Sequence, residues 1–188
     1  MNIGVAGYMG AGKSTLTHFL ADGSGVIINA DIEAKRMMNK RDDLKVALAK
    51  AFGDAVISDG AVSFELLGQK AFVSADSLAT LNAIIHPPLL ELLHKQMSDV
   101  NADIVIVDAA LISYWKIEHW FNELIWVKAP TDLRLQRLGK RYALPVAEIE
   151  RRMRMQTDLF AEPKGLPWTI ISNAGEVDAL RNFWKKYC

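Results

Sequence analysis

The chain has 188 residues, 51% of them hydrophobic and 23% charged, and its 22 basic and 22 acidic side chains cancel to a formal net charge of zero. That balance excludes a disordered polyelectrolyte and argues against a broad electrostatic nucleic-acid binder, while the length suits one sizeable core. A single cysteine, Cys188, rules out a disulfide framework and a cysteine-built zinc site.

In chain order, residues 3–6 form a short apolar run that reads as a strand, and glycines break it before it could serve as a secretory leader. After a glycine-rich loop, 14–21 reads as a helix with Leu16, Phe19 and Leu20 on one face. The β-branched run at 26–30 predicts a second strand ending at Asp31. From 32 to 97 the pattern is mostly helical, broken by turns at 39–41 and 58–60, and His86-Pro87-Pro88 reads as a helix start because proline suits a first turn. Residues 103–108, with four consecutive apolar positions between acids, predict the clearest strand, and 124–128 another. Helices are expected at 131–142, 145–157 and 176–187, and a last strand at 168–172.

Continuous apolar strands alternating with helices predict an α/β fold of three layers, a parallel five-stranded sheet covered by helices on both faces. The expected core spans about 1–31, 98–133 and 166–188, with a helical insertion at about 32–97 and an Arg-rich segment at about 134–165. Later apolar runs are strand-sized, too short to span a bilayer. The expectation is therefore a soluble cytoplasmic protein, a monomer or weak homo-oligomer, with neither nucleic acid nor membrane as partner.

Residues 7–14, Gly-Tyr-Met-Gly-Ala-Gly-Lys-Ser, fit the G-x-x-x-x-G-K-[ST] phosphate loop between a strand and a helix. Phosphate binding by backbone amides needs residues that tolerate positive φ, which Gly10 and Gly12 supply, with Ala11 between them and Thr15 following. Lys13 can reach the β- and γ-phosphates of ATP, and the Ser14 hydroxyl can take one position on Mg²⁺. Asp108, closing the clearest strand, is placed to act on that Mg²⁺ directly or through water. Asp31 at the carboxyl edge of the sheet has two readings: a base that takes the proton of an attacking hydroxyl, or the N-cap of the next helix.

Taken together, the loop, "NADIEAKRM" at 29–37, "AFGDAVISDGAVSFELLGQKAF" at 51–72, "IIHPPL" at 84–89, "QRLGKR" at 136–141, "RMRMQ" at 152–156 and "IISNAG" at 170–175 resemble the dephospho-coenzyme A kinases over nearly the whole chain. The resemblance implies a P-loop kinase that passes the ATP γ-phosphate to the ribose 3′-hydroxyl of dephospho-coenzyme A. It assigns Asp31 the base or positioning role, and Lys13 with the loop amides the phosphates. It also implies that Arg137 and Arg141 belong to a lid over ATP, that Asn173 lies near the adenine, and that 32–97 binds the acceptor. Two stretches depart from the family pattern. Residues 110–114 read Ala-Leu-Ile-Ser-Tyr where the family has a Pro- and acid-containing stretch, and Pro167-Trp168 stand where it has Ala-Asp. Both departures bear on acceptor recognition. A kinase for another small hydroxylated metabolite and a non-catalytic nucleotide switch are the competing readings.

Smaller features divide similarly. Arg134, Arg137 and Arg141 share one helix face, suited to an anion-facing lid. His18, His94 and His119 lack metal-ligand spacing. Met153, Met155, Trp115, Trp120 and Trp126 read as packing residues, and His86 fits a structural or a substrate-contacting role equally.

Overall fold

A short strand, β1 (Asn2–Ala6), opens the chain and is followed by α1 (Lys13–Ala21) and β2 (Val26–Asn29). The next stretch holds α2 (Ala30–Lys40), α3 (Asp42–Phe52), a hairpin of β3 (Ile57–Ser58) and β4 (Ala61–Val62), α4 (Phe64–Ala71) and the long α5 (Ala75–Asp99). Then come β5 (Val105–Asp108), the one-turn α6 (Ile112–Trp115), β6 (Glu123–Lys128), α7 (Thr131–Arg141), α8 (Val146–Leu159) and β7 (Trp168–Ser172). The structure, a computed structural model, describes residues 1–21, 24–142, 144–165, 167–174 and 180. The helix expected at 176–187 therefore lies outside the described residues, apart from the buried Leu180.

The chain divides into two units, Met1–Asn29 with Val100–Cys188, and Ala30–Asp99. The first unit is built on a five-stranded sheet in the order β2-β5-β1-β6-β7, every pairing parallel. The central strands are buried almost throughout, as continuous apolar runs require when helices cover both faces. Ile3, Val5, Ile106, Ile125 and Val127 from the sheet pack with Leu16 and Leu20 of α1 to form its main core. Register aligns the carboxyl ends: Asp108 stands opposite Val5 on one side and opposite Asn29 on the other. The position of α1 on this sheet, just after β1, carries the loop to that same edge.

The second strand is shorter than its sequence suggests. Asn29 is the last residue with a ladder partner, because β5 ends at its opposite number Asp108. Helix α2 starts at Ala30, so Asp31 is an exposed residue of the helix's first turn. Asp31 thus neither ends the strand nor caps the helix; with Glu33 it supplies the acidic first turn that a helix N-terminus favours.

The second unit packs α5 against α2, α3 and α4. Its largest departure from expectation is at His86-Pro87-Pro88, which lies inside α5 rather than at a helix start. An interior proline costs about 3 kcal/mol or more by losing an N–H and crowding the preceding turn. Ile85, Leu89 and Leu93 are buried on the same helix, and each buried side chain of this size returns about 1.5–3 kcal/mol. Packing on both sides of the prolines therefore holds one helix together. The turn at 58–60 closes the β3–β4 hairpin, with Asp59 and Gly60 both at positive φ. Among the described residues, no helix is long and apolar enough to cross a membrane.

Burial pushes the His86 imidazole down to about 4 from the usual 6.5, so it is neutral in the fold at pH 7. Between these two values the unfolded chain binds the extra proton, and stability must rise with pH. Denaturant titrations should accordingly show the parent losing stability as pH falls from about 6.5 toward 4. A His86→Asn variant should lose less over the same window.

Candidate active site

Residues 7–12 carry the chain from β1 into α1 through a loop whose glycines at 7, 10 and 12 have φ of 145°, 77° and 100°. Two of these positions also admit no side chain for reasons of space. A Cβ on Gly7 would stand 2.2 Å from the Val127 carbonyl oxygen, and one on Gly12 would stand 2.2 Å from Asn173 Nδ2. The loop thus lies directly against β6 and the end of β7.

Every carbonyl from 7 to 12 has a donor inside the protein. Lys13 Nζ donates to Gly7 O at 3.0 Å and reaches Tyr8 O at 3.5 Å, and the Ala11 amide donates to Tyr8 O at 3.1 Å. Arg134 Nε donates to Met9 O at 2.9 Å, and Arg137 Nη1 donates to Gly10 O at 3.2 Å and Ala11 O at 3.4 Å. Asn173 Nδ2 donates to Ala11 O at 2.8 Å, and the Leu16 amide takes Gly12 O at 3.2 Å. In a trans peptide the N–H of the next residue points opposite to the C=O. Holding the carbonyls of Met9, Ala11 and Gly12 therefore turns the amides of Gly10, Gly12 and Lys13 away from the donors that hold them. Those amides and the N-terminal dipole of α1 make an anion cradle.

Asp108 is 4% exposed and sits at the end of β5. Its Oδ2 accepts from Ser14 Oγ at 3.0 Å and from Asn29 Nδ2 at 3.1 Å. A hydroxyl and a carboxylate side by side form a hard oxygen donor pair of the kind Mg²⁺ prefers. Asn29 fixes the carboxylate's orientation from the neighbouring strand. These residues fit a magnesium ion.

The remaining sequence-predicted positions separate. Thr15 is exposed in the first turn of α1, and Ala11 is buried against the core. Asn173, 4% exposed, braces the loop, since its Oδ1 accepts from Arg137 Nη2 at 3.1 Å while its Nδ2 serves Ala11. The guanidinium of Arg137 joins the same network. Arg141 ends α7, exposed, with its guanidinium 5.6 Å from the centre of the Tyr142 ring. Asp31 belongs to the Ala30–Asp99 unit, two residues beyond Asn29 in the chain. Gly175 lies outside the described residues.

Three residues of the site carry no mark in the sequence, two that hold the loop and one that holds Asp108. Gln156 Oε1 accepts the Met9 amide at 2.7 Å, the Tyr8 hydroxyl donates to the Phe160 carbonyl at 3.2 Å, and Asn29 orients Asp108. Gln156 falls three residues after the buried Met153, which puts it on the packed side of α8, the only hint its sequence position offers. Arg134 was visible on the basic stripe, but nothing marked it as a loop contact. Arg151 and Arg152 of α8 do different work, since both pair with Glu148 and hold its carboxyl below the usual range.

A parallel sheet of this order, with a phosphate loop after its central strand and an acid closing the adjacent one, defines a P-loop kinase. Residues 1–178 match the model of one family of that class, dephospho-CoA kinase. A Moorella thermoacetica dephospho-CoA kinase is 31% identical over 184 residues, covering 95% of this chain and 86% of its own. Among solved structures, the Thermus thermophilus protein TT1252 shares 26% identity at a TM-score of 0.77, covering all of this chain and 95% of its own. The dephospho-CoA kinase from Campylobacter jejuni superposes at a TM-score of 0.61 with 21% identity, over 99% of this chain and 94% of its own. The chain belongs to the dephospho-CoA kinase family.

A Gly12→Ala substitution should be unable to keep both the backbone and Asn173 in place. Positive φ alone costs an alanine about 1–2 kcal/mol. Thermal denaturation should show a lower Tm, and calorimetry should show nucleotide binding lost. Asn173→Ala, which removes one buried and one part-buried hydrogen bond without strain, should destabilise by about 1–3 kcal/mol.

Proposed function

We propose that this kinase transfers the γ-phosphate of ATP to the ribose 3′-hydroxyl of dephospho-coenzyme A, the last step of coenzyme A synthesis. The observation that carries the reading is the loop at residues 7–14 with all its carbonyls held, set beside the Ser14–Asp108 pair. Family membership supplies the acceptor.

In this reading the loop amides and Lys13 hold the β- and γ-phosphates. The bonds of Lys13 to the Gly7 and Tyr8 carbonyls keep the ammonium at the loop until phosphate oxygens replace those carbonyls. Ser14 and Asp108 hold Mg²⁺, which neutralises charge on the transferring group when bound. Asp31 takes the proton from the 3′-hydroxyl, or positions that hydroxyl for attack. Its exposed place in the first turn of α2 supports this, because a base must meet substrate. Arg141 is assigned to charge on the transferring phosphoryl group, and Arg137 to keeping the loop in shape for it. Asn173 reaches the nucleotide side through the same brace. The Ala30–Asp99 unit is assigned the acceptor, and 134–165 the closing segment that excludes water. Phosphoryl transfer asks for positioning and charge neutralisation more than covalent chemistry, and the residues named supply both. A soluble cytoplasmic enzyme acting on small molecules fits the reading.

An Asp31→Asn variant tests the base. General-base contributions run to about 10²–10⁴-fold, so turnover measured by mass spectrometry of the phosphorylated product should drop by at least a hundredfold. ATP affinity should stay within about twofold to threefold of the parent. Turnover that survives the change would remove Asp31 from the chemistry.

A further inference from the structure

Arg134 is an unusual residue for the place it occupies. It is 5% exposed, and its charged group faces the phosphate loop rather than solvent. No salt bridge to it occurs among the described residues, and its Nη2 finds no hydrogen-bond acceptor there. Burying a cation without a carboxylate is costly, and burial duly pulls its pKa below the usual arginine value. Such a residue persists only if its contacts return something.

The guanidinium's contacts go to Tyr8 and Met9, two of the four motif positions that the phosphate-loop pattern leaves unspecified. The guanidinium lies 4.9 Å from the centre of the Tyr8 ring, while Nε donates to Met9 O. The Tyr8 ring is itself wedged edge-on against Trp126 at 5.2 Å and beside Phe160 at 5.4 Å. Trp126 is wholly buried, and its Nε1 likewise lacks an acceptor among the described residues. The faces of aromatic rings are the natural partners for such donors. On the other side, Gln156 takes the Met9 amide and Met9 packs with Leu138, Ile149 and Met153. Both backbone groups of Met9 are thus held by side chains of two helices, α7 and α8.

We infer that Arg134, stacked on Tyr8, is a positioning residue that sets the phosphate loop in its nucleotide-binding conformation before nucleotide arrives. It works from behind the loop, through Met9 and Tyr8, and touches no phosphate. The inference rests on the loop's assignment as the ATP site, and it adds the device that holds the loop's geometry. Helices α7 and α8 are correspondingly joined to the loop at their bases.

Direct ATP·Mg²⁺ binding by calorimetry, without acceptor, tests this on three single variants and one double variant, each shown by circular dichroism to be folded. Arg134→Met keeps much of the bulk but neither the charge nor Nε, and should weaken ATP binding at least tenfold. Arg134→Lys, which keeps a cation near the ring, should recover part of that loss. Tyr8→Leu should weaken binding comparably, and adding it to Arg134→Met should cost little more, because both act through one contact. In steady state the KM for ATP should rise while kcat changes less than threefold. The inference is overturned if Arg134→Met binds ATP within twofold of the parent, even with a lower Tm. It is equally overturned if Arg134→Lys recovers nothing, or if the effects of Tyr8→Leu and Arg134→Met simply multiply. Should Arg134→Met fail to fold, Tyr8→Leu decides alone: ATP binding weakened at least tenfold supports the inference, and binding within twofold of the parent overturns it. A parent that binds no ATP at all would instead sink the functional reading, so the two failures are distinguishable.

Discussion

The site depends on one constraint: a loop can offer its amides to an anion only if something else takes its carbonyls. Six consecutive carbonyls from Gly7 to Gly12 accept hydrogen bonds from donors drawn from the loop itself, α1, α7 and the residue after β7. Each bond is ordinary, about 0.5–1.5 kcal/mol net for a neutral pair and somewhat more where the donor is charged. Their joint effect is geometric. Because C=O and N–H are antiparallel in a trans peptide, fixing one row fixes the other. The glycines make the required φ values possible, but they also make many others possible, and the bracing side chains choose among them.

This arrangement explains why the elements far along the chain matter to a motif at its start. Helix α7 has acid in its first turn and Lys140 and Arg141 in its last, the polarity a helix favours. Its inward face is set by Leu138 and Arg134. Apolar packing of Leu138 with Ile149 and Met153 fixes α7 to α8, and that packing aims Arg134, Arg137 and Gln156 at the loop. Strand β7 ends so that Asn173, whose amide bonds to Lys128 O, reaches back to Ala11. Substitutions in the packing layer should therefore reach nucleotide binding through the braces.

Much of the architecture was legible from sequence because its signal is local. The uninterrupted β-branched run at 104–107 reads as a buried strand, and the acid closing it, Asp108, could be paired with Ser14 by the logic of parallel sheets. The helix across Pro87-Pro88 was not legible, since local propensity opposes it and only tertiary burial of Ile85, Leu89 and Leu93 decides. Asp31 was misplaced by two residues because a ladder ends where its partner strand ends, which the sequence of one strand does not reveal. The braces on the loop were the least visible. Their acceptors are backbone carbonyls, which every residue possesses, so Arg134 and Gln156 carried no mark beyond their helical spacing.

The most direct test of this account is a crystal structure with Mg²⁺ and a non-hydrolysable ATP analogue. The loop should keep its conformation, with Met9, Gly10 and Ala11 carbonyls still held by Arg134, Arg137 and Asn173, the amides of Gly10, Gly12 and Lys13 on phosphate oxygens, and Ser14 and Asp108 at the metal. A loop that has released those carbonyls and refolded around the phosphates would contradict it.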